Sequence, residues 1–265
     1  MAGKVVFIGA GPGAADLITL RGARRLADAD LVLFDALTDP ALRQLAPRAQ
    51  WIDVGKRGFC DSTAQTRIDA LLVKHALAGR RVVRLKGGDP SVFGRLEEEL
   101  QALAAAGIDC EVVPGITAAI AAAAATQRPL TRRGYGRSVT LTTAMTAAPA
   151  GVDAAPAQAE QLHATRSADT EVFYMAGRQL AALARRLRDA GWAADTPVLV
   201  VSHAGWPDQI ATDHRIDTLQ RASVLHAGRP TVVTVGAGAR AVMPAPPRDA
   251  VAQGIQPAVV ERLRP

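Results

Sequence analysis

This chain of 265 residues has few of the side chains that most often point to a metal site or to nucleic acid. Cys60 and Cys110 are its only cysteines, too few for a disulfide framework and without the paired spacing of a zinc site. The five histidines share no metal-ligand spacing, so we expect no bound metal. Aromatic residues make up 4%, and no long run of lysine and arginine occurs. We therefore expect no nucleic-acid partner despite the net charge of +6.

Long apolar runs are also missing. No stretch approaches the roughly 20 uncharged apolar residues of a membrane span, so we expect no membrane partner. A strand is predicted from Lys4 onward, which leaves no room for the three regions of a signal peptide. The sequence therefore predicts a cytoplasmic protein.

Short β-branched runs alternate with helical segments rich in Ala, Leu and Arg, and this alternation predicts an α/β fold. The predicted strands cover 4–8, 30–34, 81–85, 110–113, 138–142, 170–174, 198–201 and 231–235. The predicted helices cover 17–27, 64–78, 95–106, 116–125 and 179–190. Pro114 and Gly115 mark a predicted boundary between domains at 1–114 and 115–243. A tail is expected at 244–265, and a long surface loop at 147–168.

A glycine-rich turn at Gly9, Gly11 and Gly13 follows the first predicted strand, where glycines permit a sharp turn and close approach of a ligand. A dinucleotide fingerprint would need glycine at position 14, which is Ala14, and Pro12 removes a backbone N–H. The motif alone leaves a nicotinamide-dependent enzyme as one alternative, because Asp35 ends the second predicted strand at about the distance expected of a ribose-binding acid. A tight turn that binds no ligand is the other alternative.

The most unusual stretch runs from Arg84 to Arg95, where a predicted strand ends in paired glycines, an aspartate and a proline before a helix begins. Such a turn offers backbone N–H groups and a carboxylate at the carboxyl edge of a sheet, where α/β proteins bind ligands. The nucleotide-binding Gly-Lys-Ser/Thr is absent, and an ordinary structural turn is the alternative.

A basic loop at 127–137 contains four arginines, whose guanidinium groups suit carboxylate partners. A solvated basic surface is the alternative. The arginines are Arg128, Arg132, Arg133 and Arg137.

These segments together resemble the uroporphyrinogen-III C-methyltransferase family, which includes the methyltransferase half of siroheme synthase. The likeness covers about residues 4–240 and depends most on the stretch from Val82 through Arg95. Further matching segments lie at 6–13, 17–20, 30–35, 54–57, 113–119, 129–131, 134–139 and 172–175.

The resemblance implies a two-domain tetrapyrrole methylase fold with a cleft between the domains, assembled as a homodimer. It implies S-adenosylmethionine as cofactor and S-adenosylhomocysteine as product, with uroporphyrinogen III methylated at C2 and C7 to give precorrin-2 by way of precorrin-1. The pathways implied are those of siroheme and cobalamin. The residues implied to contact the cofactor are Pro12, Gly87, Gly88, Asp89, Val92, Thr117, Ala118, Met175 and Ala204.

The resemblance also implies catalytic roles: Asp35 as proton acceptor, Lys56 as proton donor, and Arg95 with Glu98 in the catalytic cleft. Alignment of the methyl donor with the acceptor carbon of the substrate needs no metal. The four arginines of the basic loop would pair with the carboxylates of the substrate.

The chain departs from the family pattern at several positions. Arg132 stands where the family usually has histidine, and Ala144 with Met145 stand where it has Gly-His. Leu96 stands where it has glycine, and Ser202 stands where it has glutamate. These departures affect the expected substrate more than the cofactor. The alternatives are a methyltransferase for a later precorrin and a non-catalytic tetrapyrrole- or nucleoside-binding relative.

Overall fold

A parallel sheet forms the first half of the chain. The computed structural model describes residues 3–55, 62–145 and 166–242. The strands are β1 (Val5–Gly9), β2 (Leu31–Phe34), β3 (Gln50–Asp53), β4 (Val82–Lys86) and β5 (Cys110–Val113). They lie in the order β3-β2-β4-β1-β5, every neighbouring pair parallel. Their carboxyl ends therefore meet at one edge.

Helices cover both faces of this sheet: α1 (Leu20–Ala27), α2 (Ser62–Leu77) and α3 (Leu96–Ala105). Alternate side chains of β1 point to opposite faces, as in any strand. Ile8 packs with Leu26 of α1, whereas Phe7 packs with Leu72 of α2 and Leu103 of α3. The result is a three-layer α/β arrangement.

The second sheet is mixed. Its strands are β6 (Val139–Thr143), β7 (Thr170–Tyr174), β8 (Pro197–Ser202), β9 (Ile210–Arg215) and β10 (Thr231–Gly236), in the order β6-β7-β10-β8-β9. The pair β6–β7 is parallel and the other pairs are antiparallel.

Helices α4 (Ala118–Ala125) and α5 (Leu180–Asp189) pack on opposite faces of this second sheet, and α6 (Ser223–His226) is short. Ala122 of α4 packs with Leu199, whereas Leu183 of α5 packs with Val200. Short 3₁₀ helices occupy Ala15–Leu17, Pro40–Leu45, Ile216–Ala222 and Ala237–Ala239.

The α/β prediction is confirmed, and the eight predicted strands and five predicted helices are present within a few residues at each end. Two edge strands, β3 and β9, were not predicted. Most of the predicted loop at 147–168 and all of the tail at 244–265 lie outside the described residues. In the described ranges, no helix is both long and apolar enough to traverse a membrane.

Candidate active site

A cavity of about 570 Å³ lies where the carboxyl edge of the first sheet meets one end of the second. The first sheet contributes the segments that follow β1, β2, β4 and β5. The second contributes the ends of β7 and β8 and the start of β10. The lining residues are Gly11, Pro12, Ala36, Leu37, Gly87, Gly88, Asp89, Val92, Phe93, Thr117, Ala118, Tyr174, Met175, Val201, His203, Ala204, Trp206, Asp208, Pro230, Thr231 and Val232.

The floor of the cavity is made by two glycine turns that bond to each other. Gly88 N donates to Gly11 O at 2.7 Å, and Gly11 N donates to Gly88 O at 3.2 Å. Both residues have positive φ, 83° for Gly11 and 70° for Gly88, a region that side chains with Cβ rarely adopt. Bare backbone therefore faces the cavity on this side.

Asp89 follows the second turn and uses its carboxylate to fix the loop. Oδ2 accepts from Gly115 N at 2.8 Å, and Oδ1 accepts from Ser91 N at 2.8 Å and from the Ser91 hydroxyl. Burial pushes the pKa of Asp89 upward, but these hydrogen bonds outweigh it and hold the pKa below its usual value. The cavity therefore has an ionised carboxylate on one wall.

Tyr174, at the end of β7, connects the second sheet to the start of α4. Its hydroxyl lies 2.7 Å from Thr117 Oγ1 and accepts from Ala119 N at 3.3 Å. The ring of Phe93 packs against it at 5.0 Å between centroids. Burial raises the pKa of Tyr174, so its hydroxyl stays protonated at neutral pH.

Three cavity residues have a strained backbone. Phe93, Met175 and His203 have φ of 53°, 57° and 50°, in the left-handed region that costs a non-glycine residue about 1 kcal/mol or more. Such strain is typical of functional sites, where the surrounding structure holds the residue in place.

A second carboxylate lies on the wall formed by the segment that follows β8. Asp208 Oδ2 is 2.8 Å from His203 Nδ1 and accepts from Arg229 Nη2 at 2.8 Å. The hydrogen bond from His203, together with Arg229, lowers the pKa of Asp208. The cavity thus places an ionised acid on each of two walls, with mainly apolar side chains between them.

Asp35, which follows β2, lies directly before the cavity residues Ala36 and Leu37. Its Oδ1 accepts from Arg84 Nη2 at 2.6 Å, and its side chain is 30% exposed. Lys56, the implied proton donor, lies outside the described residues.

Arg95 and Glu98 lie on the far side of Phe93, in a second cavity beside the first. They form an ion pair of 2.7 Å between Arg95 Nη2 and Glu98 Oε2. Phe93 lines both cavities and separates them.

The basic loop is not brought together with the cavity. Thr170, at the start of β7, donates to Leu130 O at 2.8 Å, whereas the cavity lies at the opposite end of that strand. Arg128 pairs with Asp213 and donates to Ala239 O at 2.7 Å. Arg132 donates to the carbonyls of Pro129 and Arg240. Arg133 and Arg137 are exposed.

The match to known proteins covers most of the chain. Residues 4–220 match the model of the tetrapyrrole (corrin/porphyrin) methylases.

The chain belongs to this family.

Among its relatives, the uroporphyrinogen-III C-methyltransferase of Pseudomonas aeruginosa is 42% identical over 93% of this chain and 98% of its own length. The siroheme synthase of Baumannia cicadellinicola is 43% identical over 88% of this chain but only 50% of its own length. The chain thus spans about half of that longer protein. A Thermus thermophilus uroporphyrin-III C-methyltransferase, solved with S-adenosylhomocysteine, superimposes with a TM-score of 0.73 at 32% identity, over 88% of this chain and 97% of the other.

All nine residues that the resemblance implied for cofactor binding line the cavity of this tetrapyrrole methylase. Sequence reasoning did not single out Tyr174, His203, Trp206 and Asp208 as site residues. Tyr174 lies in a matched segment, and Trp206 lies in a Gly-Trp-Pro-Asp turn, so both carried a signal. Nothing in the sequence related Trp206 to Pro12.

Three of the departures from the family pattern lie in three different environments. Ala144 is wholly buried in the core of the second sheet, and Leu96 lines the second cavity. Ser202 is wholly buried, and its hydroxyl lies 2.5 Å from His226 Nδ1 and 2.9 Å from Thr231 Oγ1. A neutral hydrogen-bonded cluster therefore stands where the family pattern has a glutamate.

Proposed function

We propose that this tetrapyrrole methylase transfers methyl groups from S-adenosylmethionine to C2 and C7 of uroporphyrinogen III and so makes precorrin-2. The observation that carries the proposal is the cavity, which gathers all nine implied cofactor residues from the ends of five strands, β1, β4, β5, β7 and β8. The 42% identity to a uroporphyrinogen-III C-methyltransferase over nearly its full length supports the choice of substrate.

The cavity suits the cofactor in size and charge. Its volume of about 570 Å³ falls within the roughly 300–1,000 Å³ of small-molecule sites. Backbone at Gly11 and Gly88 leaves room for a nucleoside, and the ionised carboxylate of Asp89 favours a ligand that carries positive charge, whereas the carboxylate of Asp208 is already paired with Arg229. S-Adenosylmethionine supplies a methyl group on a positively charged sulfur.

The acceptor carbon then bonds to the methyl group while the methyl–sulfur bond breaks and leaves its electron pair on sulfur. The macrocycle must lose a proton afterwards, and we assign this proton to Asp35, which directly precedes the cavity residues Ala36 and Leu37 and whose carboxylate is held by Arg84. Arg95 and Glu98 would contact the macrocycle beyond Phe93. The proton donor that the resemblance implies, Lys56, has no part in these two steps, which balance with Asp35 alone.

The four arginines of the basic loop remain candidates for the substrate's carboxylates. A strand of five residues spans roughly 13–17 Å, so the point where the loop bonds the start of β7 is about one strand length from the cavity. Contact therefore requires a substrate that extends along the second sheet or a loop from a second chain. The net charge of +6 would in either case attract an acidic macrocycle.

We also propose a cytoplasmic homodimer with its domain boundary at Pro114 and Gly115. In support, every strand of the first sheet ends by Val113, and every strand of the second begins at Val139 or later. Light scattering on the purified chain tests the dimer, and a single-chain mass would refute it.

A labelling experiment tests the reaction. Purified protein is incubated anaerobically with methyl-labelled S-adenosylmethionine and enzymatically made uroporphyrinogen III, with later precorrins as parallel substrates. We expect two labelled methyl groups per uroporphyrinogen III. Label only in a later precorrin would identify a different methylase, and cofactor binding by calorimetry without any transfer would identify a non-catalytic relative.

A further inference from the structure

A network of four charged side chains, three of them buried, lies next to the cavity. Arg84 and Lys86 extend from β4, Glu99 from α3, and Asp35 follows β2. Glu99 Oε1 accepts from Arg84 Nε at 2.9 Å, and Glu99 Oε2 accepts from Lys86 Nζ. Arg84 then reaches Asp35 through its Nη2. The side chain of Glu99 is 0% exposed, and those of Arg84 and Lys86 are 3% exposed.

This network gives the Arg84 guanidinium a single orientation. Nη1 donates to the carbonyls of Leu85 at 3.2 Å and Leu33 at 3.4 Å. Nε is bound by Glu99 and Nη2 by Asp35. Because every nitrogen is engaged and the group is buried, the position of the Asp35 carboxylate depends on where Glu99 holds Arg84.

The same network reaches the loop between the two cavities. A Cβ added to Gly94 would come within 3.1 Å of Lys86 Cε, so the lysine stem packs against this glycine. Gly94 lies between Phe93 and Arg95, both with φ of 53°. Lys86, held by Glu99, thus supports the loop that carries Arg95.

Stability alone gives a weak reason for this arrangement. Buried ion pairs are often no more stabilising than apolar side chains of the same size, because desolvation offsets the attraction. Of the four members, only Asp35 reaches solvent to an appreciable degree, and it does so beside the cavity.

We propose that Glu99 is a positioning residue for methyl transfer, which fixes Arg84 and Lys86 and through them the Asp35 carboxylate and the Phe93–Arg95 loop. This inference rests on the proposed function. Glu99 does not line the cavity, so it acts through its partners and not on the cofactor.

The test compares Glu99→Gln with Glu111→Gln. Glu111 also bridges a lysine and an arginine, Lys4 and Arg25, but at the surface. We expect Glu99→Gln to lower kcat on the order of 10- to 100-fold, since small misplacements of reacting groups have effects of this size. Its affinity for S-adenosylhomocysteine should stay within about threefold of wild type, and Glu111→Gln should match wild type in both. Wild-type kcat in Glu99→Gln would overturn the proposal.

A second variant separates positioning from folding. The double variant Lys86→Met/Glu99→Met removes one buried cation together with the buried anion. We expect this change to reverse the decrease in the thermal unfolding midpoint that Glu99→Gln causes. We expect kcat to stay at least about tenfold low, because Arg84 still lacks its anchor. If kcat recovers along with stability, Glu99 has a structural role only. If neither variant folds, the positioning role is likewise rejected in favour of a structural one.

The wild-type assay keeps the two proposals apart. Wild-type protein that transfers no methyl group would refute the proposed function and the positioning role with it. An active wild type with an equally active Glu99→Gln would refute the positioning role alone.

Discussion

The indole Nε1 of Trp206 donates a hydrogen bond to the carbonyl oxygen of Pro12, 3.0 Å away. The two residues are 194 positions apart in the chain, and each lines the cavity. Next to this contact, Ala14 N donates to Gly205 O at 2.9 Å. These two bonds join the first glycine turn to the segment after β8, so they hold the two sheets together along one side of the site.

Trp206→Phe should weaken binding of S-adenosylhomocysteine about fivefold, because one hydrogen bond contributes about 1 kcal/mol and its loss lets the turn move. Calorimetry measures the affinity. Trp192→Phe is the matched control, since the Trp192 indole donates to Glu171 inside the core of the second sheet. The control should lower stability and leave the affinity unchanged; equal affinities for both variants would contradict the role given to Trp206.

Tyr174→Phe should lower the free energy of unfolding by about 1–2 kcal/mol, since it removes the hydroxyl that bonds Thr117 and Ala119. Urea denaturation measures this change. Because burial raises the pKa of Tyr174, the wild-type hydroxyl keeps its proton, and the difference between the two proteins should be constant from pH 7 to 9. A difference that disappears at pH 9 would be inconsistent with a buried, protonated tyrosine.

Met175 offers a test of backbone strain with a matched pair of variants. Met175→Ala and Met175→Gly both remove the side chain from the cavity, so both should weaken binding of S-adenosylhomocysteine. Only glycine relieves the φ of 57°. We expect the glycine variant to be more stable than the alanine variant by about 1 kcal/mol in urea denaturation. The opposite order would show that residue 175 is not strained.

Sequence patterns predicted the central strands because these strands are buried on both faces and consist mainly of β-branched, aromatic and other apolar residues. All five residues of β1 and of β7 are buried. The edge strands lacked that signal, since β3 is exposed at both ends and β9 alternates between intermediate and exposed residues. The antiparallel pairing of β10 with β7 and β8 could not be predicted, because it depends on contacts between residues about 30–60 positions apart.

For the site, the sequence placed both glycine turns at the carboxyl edge of a parallel sheet, and the two turns do lie side by side in the cavity because segments after neighbouring parallel strands meet there. The sequence could not relate the basic loop to the cavity, because their separation depends on which end of β7 each one contacts. The buried network had a visible signal: Arg84 and Lys86 interrupt an apolar strand two residues apart, and so share a face. That Glu99 lies opposite them required the packing of α3.

His226 predicts how stability depends on pH. It is wholly buried, with Nδ1 bonded to Ser202 and Nε2 to Thr212. Burial, with His214 and Arg229 nearby, lowers its pKa in the folded protein. The unfolded chain then binds more protons, so the free energy of unfolding should fall as pH drops below about 6.5, by up to about 1.4 kcal/mol per unit. Urea midpoints from pH 7.5 to 5.5 measure this slope, which should flatten in His226→Gln; an unchanged slope would assign the effect elsewhere.

Asp35→Asn tests the assignment of the proton acceptor. Asparagine keeps an oxygen that can accept from Arg84 Nη2, so the buried guanidinium retains its partner, but the amide cannot take up the proton that the macrocycle releases. We expect turnover to fall about 100-fold or more, the usual contribution of a general base, while affinity for S-adenosylhomocysteine stays within about twofold. Asp30→Asn is the control: Asp30 pairs with Arg81 at 2.7 Å on the surface, and its loss should change neither quantity. Normal turnover in Asp35→Asn would remove this carboxylate from the reaction and leave proton acceptance to a group beyond Phe93.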